Sequence, residues 1–158
     1  MRIQKAARRG TEIYDDWSLT KPGTRWNELA DAIHNAPLGS VYQGFVWFQG
    51  GNDCFCDNGN PDTSPYYLGN LTELVTSVRQ LMFDKSPIGS WSNCADIPVV
   101  IVELGYWPRG GGGTSPTVQA YDGVRAAQNT FVENDPNAAI VQTDLEISSI
   151  KLLQADIH

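Results

Sequence analysis

A glutamine at the end of an apolar run is the first residue that could do chemistry. Gln49 follows residues 41–48, a β-branched and aromatic stretch, and precedes Gly50 and Gly51. A strand that ends there and turns sharply at glycine presents an amide NH2 at the edge of a sheet. Such a group can donate hydrogen bonds to an oxyanion. The same pattern is also that of an ordinary strand followed by a tight turn with a solvated glutamine.

A carboxylate and an imidazole at the end of the chain form the second candidate. Asp156 and His158 are separated by one residue. A carboxylate near a histidine can orient the ring and stabilise its charged form, so the ring can act as general base toward a serine. Taken alone, an exposed histidine without a catalytic role is the simpler interpretation of this pair.

The elements that must position these residues alternate along the chain. Apolar spacing and end signals predict helices over residues 24–36, 66–83 and 117–133, and strands over residues 41–48, 97–104 and 138–143. This alternation predicts an α/β fold with a parallel sheet and helices on both faces. Function in such sheets lies beyond the carboxyl ends of the strands. We therefore expect the site in the loops that open at Gln49 and Gly105 and in the segment after Thr143.

Composition excludes several classes of protein. The 158 residues, of which 41% are hydrophobic and 18% charged, fit one globular domain. A net charge of -7 argues against nucleic acid as a partner. We predict no membrane span because no apolar run is long enough, and no metal because the cysteines and histidines lack zinc spacing. We also expect no cofactor.

One feature leans toward secretion and leaves the compartment open, since Asn70-Leu71-Thr72 matches a glycosylation acceptor. If the protein is secreted, a disulfide between Cys94 and either Cys54 or Cys56 is plausible. The basic residues 1–10 are not followed by the apolar stretch of a signal peptide.

The segment Gly44-Phe45-Val46-Trp47-Phe48-Gln49-Gly50-Gly51-Asn52-Asp53 resembles a block of carbohydrate esterase family 6 and of sialate O-acetylesterase-like proteins. Asp156-Ile157-His158 resembles the final Asp–His block of these proteins, although many related enzymes place the aspartate three residues before the histidine. The stretches PVVIVELG and VRAAQNTF also resemble the family. The resemblance covers roughly residues 40–158.

This resemblance implies an SGNH hydrolase with a flavodoxin-like three-layer α/β/α sandwich. Gln49 would be the oxyanion donor, His158 the general base and Asp156 its orienting partner, with Asp53 supporting the loop behind Gln49. The substrate would be an acetylated carbohydrate, either xylan, sialic acid or another glycan. We expect Trp47, Trp91 and Trp107 near the active-site edge, where aromatic rings can stack on sugars, with core packing as the alternative for Trp47.

The family's nucleophile lies in a G-Q-S block, and residues 1–40 contain none. We therefore assign no nucleophile, and expect residues 1–158 to form a single partial SGNH domain of a larger acetylesterase, with little activity alone. The alternative is a degenerate glycan-binding module. A nucleotide-binding domain is disfavoured because Gly110–Gly113 lacks the G-K-[ST] of a phosphate loop.

Overall fold

The computed structural model of the chain describes residues 5–7, 10–21, 24–54, 63–105 and 116–142. Helices and strands alternate along this part of the chain, as the sequence predicts. In order they are α1 (Arg25–His34), β1 (Phe45–Trp47), α2 (Tyr67–Lys85), β2 (Val99–Val102), α3 (Pro116–Asn134) and β3 (Ala138–Val141). The strands are shorter than predicted, because ladder pairing covers only part of each apolar run.

The strands form a parallel sheet in the order β1-β2-β3. Val46 pairs with Val100, and Val102 pairs with Val141. Both crossovers run in the same direction across the sheet, and such connections are right-handed in nearly all proteins. The two crossover helices, α2 and α3, therefore lie on the same face and pack against each other. This arrangement confirms the predicted α/β class of flavodoxin-like type, with a small sheet.

The two faces of the sheet differ in burial. The side chains that face α2 and α3 include Trp47, Val99 and Ile101, and these are at most 4% exposed. Successive side chains of a strand point to opposite faces, so the other face carries Val46, Phe48, Val100, Val102, Ala139 and Val141. Of these, Val46 is 63% exposed and Phe48 70% exposed. The described helices thus form one of the two predicted outer layers.

A buried arginine joins α2 to the beginnings of two strands. Arg79 is 6% exposed, and its Nε donates to the carbonyl oxygen of Ile97 at 2.8 Å. Its guanidinium pairs with the carboxylate of Asp135 and donates to the carbonyl oxygen of Asn137 at 3.3 Å. Because the guanidinium donates hydrogen bonds to one carboxylate and two carbonyl oxygens, the free-energy cost of burying its charge is compensated.

The segment before α1 packs against the carboxyl end of β1. The ring of Trp17 meets that of Trp47 edge to face, with the centroids 5.1 Å apart. Its Nε1 donates to Oγ1 of Thr11 at 3.1 Å. Ile13 is 1% exposed in the same core. Residues 11–17 are therefore held beside the turn that follows β1, and they bring polar backbone groups to the edge of the sheet.

Candidate active site

The chain turns sharply where β1 ends. Gln49 lies two residues past Trp47, and Gly50 follows with φ 137°, a conformation that residues with a Cβ rarely adopt. A Cβ at Gly50 would lie 2.9 Å from Cγ1 of Val124 on α3. Glycine is therefore required both by the backbone angle and by the close approach of α3. The short 3-10 turn Asn52–Cys54 then returns the chain toward Gln49.

The side-chain amide of Gln49 is held by two acceptors. Its Nε2 donates to the carbonyl oxygen of Thr11 at 2.7 Å and to Oδ2 of Asp53 at 2.5 Å. Both N–H groups of the amide are thereby used. The Oε1 atom is buried and has no hydrogen-bond partner among the described residues. Reversing the amide would point this oxygen at a carbonyl and a carboxylate, so the two acceptors fix its orientation.

Asp53 ties the turn after β1 to the segment before α1. It is 1% exposed, and its Oδ1 accepts from the backbone N–H of Ile13 at 3.0 Å. Thr63 Oγ1 adds a longer bond to Oδ1 at 3.4 Å. Burial raises the pKa of this carboxyl to about 6, while the hydrogen bonds from Gln49, Ile13 and Thr63 oppose the shift. The Asp53 carboxylate is therefore the shared acceptor that joins the polar groups around the Gln49 amide.

A second carboxylate lies at the end of β2. Glu103 is 3% exposed and accepts from Asn129 Nδ2 at 2.9 Å and from Arg125 Nη2 at 3.3 Å. Its backbone N–H continues the ladder by donating to Val141 at 2.9 Å. These contacts bind Glu103 to α3, which agrees with a structural role for this residue.

A family model described as carbohydrate esterase, sialic acid-specific acetylesterase, matches residues 3–158 of the chain. The chain belongs to this family. The match includes residues 11–17 and so extends the resemblance beyond the motif-bearing part of the sequence. No curated protein matches the chain, and no solved structure matches it.

The structure places only one of the predicted catalytic residues of this esterase domain. Gln49 lies at the carboxyl end of β1, beside Asp53 and Thr11. Asp156 and His158 lie outside the described residues, so their geometry relative to Gln49 stays a prediction.

The tryptophans have different places. Trp47 is buried in the core, as the alternative for this residue held. Trp91 donates from Nε1 to the carbonyl oxygen of Tyr42, which precedes β1. It therefore lies toward the amino ends of the strands, and the expectation that it lines the active-site edge is wrong. Trp107 lies outside the described residues.

Of the cysteines, the structure describes Cys54 and Cys94, and neither forms a disulfide. Cys54 is buried, and its Sγ donates to the carbonyl oxygen of Gly50 at 3.1 Å. Cys94 belongs to a 3-10 turn just before β2. A bond between these two residues is therefore not formed, since they stand at opposite ends of the sheet. Cys56 lies outside the described residues.

The described part of the chain contains neither a cluster of metal-binding side chains nor a membrane-spanning helix. Across the described ranges, the His, Cys, Asp and Glu side chains form no cluster of three or more that could hold a metal ion. Among the helices placed there, none combines the length and the apolar character needed to cross a bilayer.

Two buried polar residues at this edge were missed by the sequence analysis. Tyr67 at the start of α2 and Gln128 on α3 are both fully buried, and both contact the carbonyl oxygen of Gln49. A signal for Gln128 exists in the sequence. It lies four residues after Val124 and three before Phe131, on the apolar stripe of α3, where a polar side chain indicates a buried hydrogen-bonding role.

Proposed function

We propose that this esterase domain takes part in hydrolysing acetyl esters of carbohydrates, with Gln49 as a donor to the oxyanion. Family membership supports the reaction class. The observation that carries the assignment of Gln49 is the place of its amide nitrogen, at the carboxyl edge of a parallel sheet and oriented by two acceptors. Preorganised donors at such an edge are the usual means of stabilising the charge that develops during acyl transfer.

The remaining roles follow from acyl-transfer chemistry. A serine oxygen attacks the acetyl carbonyl while His158 takes its proton, and Asp156 stabilises the resulting imidazolium. The carbonyl oxygen becomes the oxyanion, and the sugar hydroxyl leaves with the proton from histidine. Water then attacks the acetyl-enzyme while His158 takes its proton, the serine oxygen leaves and regains a proton from the histidine, and acetate is released. Because residues 1–40 hold no G-Q-S block, we propose that a longer form of the protein supplies the serine.

An exchange of hydrogen-bond partners is part of this proposal. In the structure Thr11 and Asp53 occupy both N–H groups of Gln49. One N–H must leave its acceptor before it can reach an oxyanion. The bond to Thr11 is the one between neutral groups, and the bond to the Asp53 carboxylate is charge-assisted and stronger. We infer that the N–H directed at Thr11 is released to the substrate.

The test is acetate release by a form of the protein that includes an upstream G-Q-S serine. Acetylated xylan and an O-acetylated sialoside should be compared as substrates. Gln49→Ala is expected to lower kcat by roughly 100- to 1,000-fold, the loss typical of one oxyanion donor. The matched control is Gln80→Ala on the exposed side of α2, which should leave kcat unchanged. Equal kcat for Gln49→Ala and the parent would refute the assignment.

A degenerate glycan-binding module is the alternative, and one observation favours it. Both donors of Gln49 already have acceptors inside the protein, which is also how a purely structural amide would look. A domain that binds acetylated glycan but releases no acetate in the presence of an upstream serine would support this second function.

A further inference from the structure

Gln128 occupies a place where a polar side chain is costly unless it is fully paired. It is completely buried on α3, in line with the apolar side chains Val124 and Phe131. A buried amide without hydrogen-bond partners is strongly destabilising, so such a residue is retained with partners. Its main-chain partners follow two different strands at the proposed active-site edge.

The amide of Gln128 connects the ends of β1 and β2. Its Oε1 accepts from the backbone N–H of Leu104 at 2.9 Å, two residues past the end of β2. Its Nε2 donates to the carbonyl oxygen of Gln49 at 3.1 Å, two residues past the end of β1. One side chain thus bonds to the main chain just past the carboxyl ends of both β1 and β2.

Tyr67 completes this network, and every group in it is used. The Tyr67 hydroxyl donates to the carbonyl oxygen of Gln49 at 2.8 Å. It accepts from Nε1 of Trp47 at 3.2 Å and from the second N–H of Gln128 at 3.3 Å. Both lone pairs of the main-chain carbonyl oxygen of Gln49 are therefore occupied. The amide of Gln128 has a single orientation that satisfies all its partners.

The position of the Gln49 backbone determines where the side-chain nitrogen Nε2 can lie. The carbonyl group is fixed on one side by Gln128 and Tyr67, while the next residue, Gly50, packs against Val124 of the same helix. A change of a few tenths of an ångström here moves the donor, and donors must be placed accurately to stabilise an oxyanion.

We propose that Gln128 is a positioning residue for the Gln49 donor, acting by fixing the Gln49 carbonyl oxygen and the Leu104 N–H together. This inference rests on the proposed role of Gln49 in the esterase site. Gln128 does not touch the substrate in this proposal. It holds the ends of β1 and β2 in one relative position, so that groups supplied by the two loops meet the same acetyl group.

The experiment is NMR on the chain of residues 1–158 near neutral pH, with one variant that removes one half of the network and one that removes both halves. Gln128→Glu keeps an acceptor for Leu104 and, with its carboxyl ionised, removes the donors to Gln49 and Tyr67. Gln128→Met removes both halves and introduces no charge, so it serves also where the carboxylate prevents folding. Val78→Ala, a truncation of a fully buried side chain on α2, is the control for loss of stability alone.

The expected result separates the two bonds. Hydrogen exchange of the Gln49 side-chain NH2 should rise about tenfold in both Gln128 variants, as for loss of a buried hydrogen bond. Exchange of the Leu104 N–H should rise in Gln128→Met only. Val78→Ala should change neither beyond its effect on global stability. An unchanged exchange rate of the Gln49 side-chain NH2 in both Gln128 variants would overturn the proposal and leave Gln128 a core residue.

Acetate release distinguishes this outcome from failure of the proposed function. In the longer form with the serine, Gln128→Met should lower kcat with little change in KM, because the donor acts mainly in the transition state. If the parent form releases no acetate, the esterase proposal fails while the exchange data still decide whether Gln128 positions Gln49.

Discussion

The hydroxyl of Tyr67 lies 2.8 Å from the carbonyl oxygen of Gln49 and donates its single proton to it. Complete burial raises the pKa of this phenol well above its ordinary value, although hydrogen bonds from Trp47 and Gln128 oppose the shift. The hydroxyl therefore stays protonated at physiological pH. A residue at the start of α2 thus helps to fix the loop that carries the proposed oxyanion donor.

Tyr67→Phe should lower the free energy of unfolding by about 1–3 kcal/mol, because it leaves the buried Nε1 of Trp47 without its acceptor. Urea denaturation would measure the change. Tyr66→Phe is the matched control, since Tyr66 is the preceding residue and is 59% exposed. Its effect should stay within about 0.5 kcal/mol. Equal effects of the two substitutions would contradict the network.

Gly50→Ala should destabilise the protein by roughly 1–3 kcal/mol, since φ is 137° and the new Cβ would meet Cγ1 of Val124 at 2.9 Å. The same substitution at Gly69 on α2 meets nothing within 4 Å. It should stabilise the protein by about 0.5 kcal/mol through helix propensity. Thermal unfolding of both variants tests the pair, and a stabilised Gly50→Ala variant would contradict this geometry of the turn.

The raised pKa of Asp53 predicts an unusual dependence of folding stability on pH. Burial raises its pKa from the ordinary value of 3.8 to about 6 in the folded protein. Between these two values the folded state binds more protons than the unfolded state, so the contribution of Asp53 to stability increases as the pH falls from about 6 to about 4. The gain is roughly 2–3 kcal/mol at about 1.4 kcal/mol per pKa unit.

The measurement is the difference in free energy of unfolding between the parent and Asp53→Asn across this pH range. The variant cannot titrate at this position, so the difference should vary with pH by the amount stated. Asp31→Asn on the exposed side of α1 is the control for removing a carboxylate at the protein surface. A difference for Asp53→Asn that does not vary with pH would mean that the pKa of the Asp53 carboxyl is not raised by folding.

The order of helices and strands could be predicted from periodicity, because each element buries one regular stripe. Gln49 could be placed at the end of a strand for the same reason, with the glycines marking the turn. Its partner Thr11 could not, since this contact joins residues 38 positions apart and depends on how Trp17 packs on Trp47. The observed start of β1 also differs from the predicted one, because ladder pairing begins only at Phe45, whose N–H donates to the carbonyl oxygen of Pro98.

Asp135→Ala should cost about 3–5 kcal/mol, because it leaves the guanidinium of Arg79 buried without its carboxylate. Guanidinium chloride denaturation measures the loss. Asp15 offers a comparison, since its pair with Lys21 is exposed at the surface, and Asp15→Ala should cost less than about 1 kcal/mol. A small effect at Asp135 would mean that Ile97 and Asn137 alone satisfy Arg79.

Phe48→Thr should reduce self-association with little change in stability. Phe48 is 70% exposed, and the same face of the sheet, opposite α2 and α3, also carries the exposed side chains of Val46 and Val141. Exposed apolar side chains on one face favour association. The free energy of unfolding should change by less than about 1 kcal/mol, because little burial is lost. Light scattering at increasing protein concentration would measure association. Trp47→Ala, one residue earlier and buried, should instead cost about 3–5 kcal/mol. If Phe48→Thr were as destabilising as Trp47→Ala, the face that carries Phe48 would have to be covered in solution.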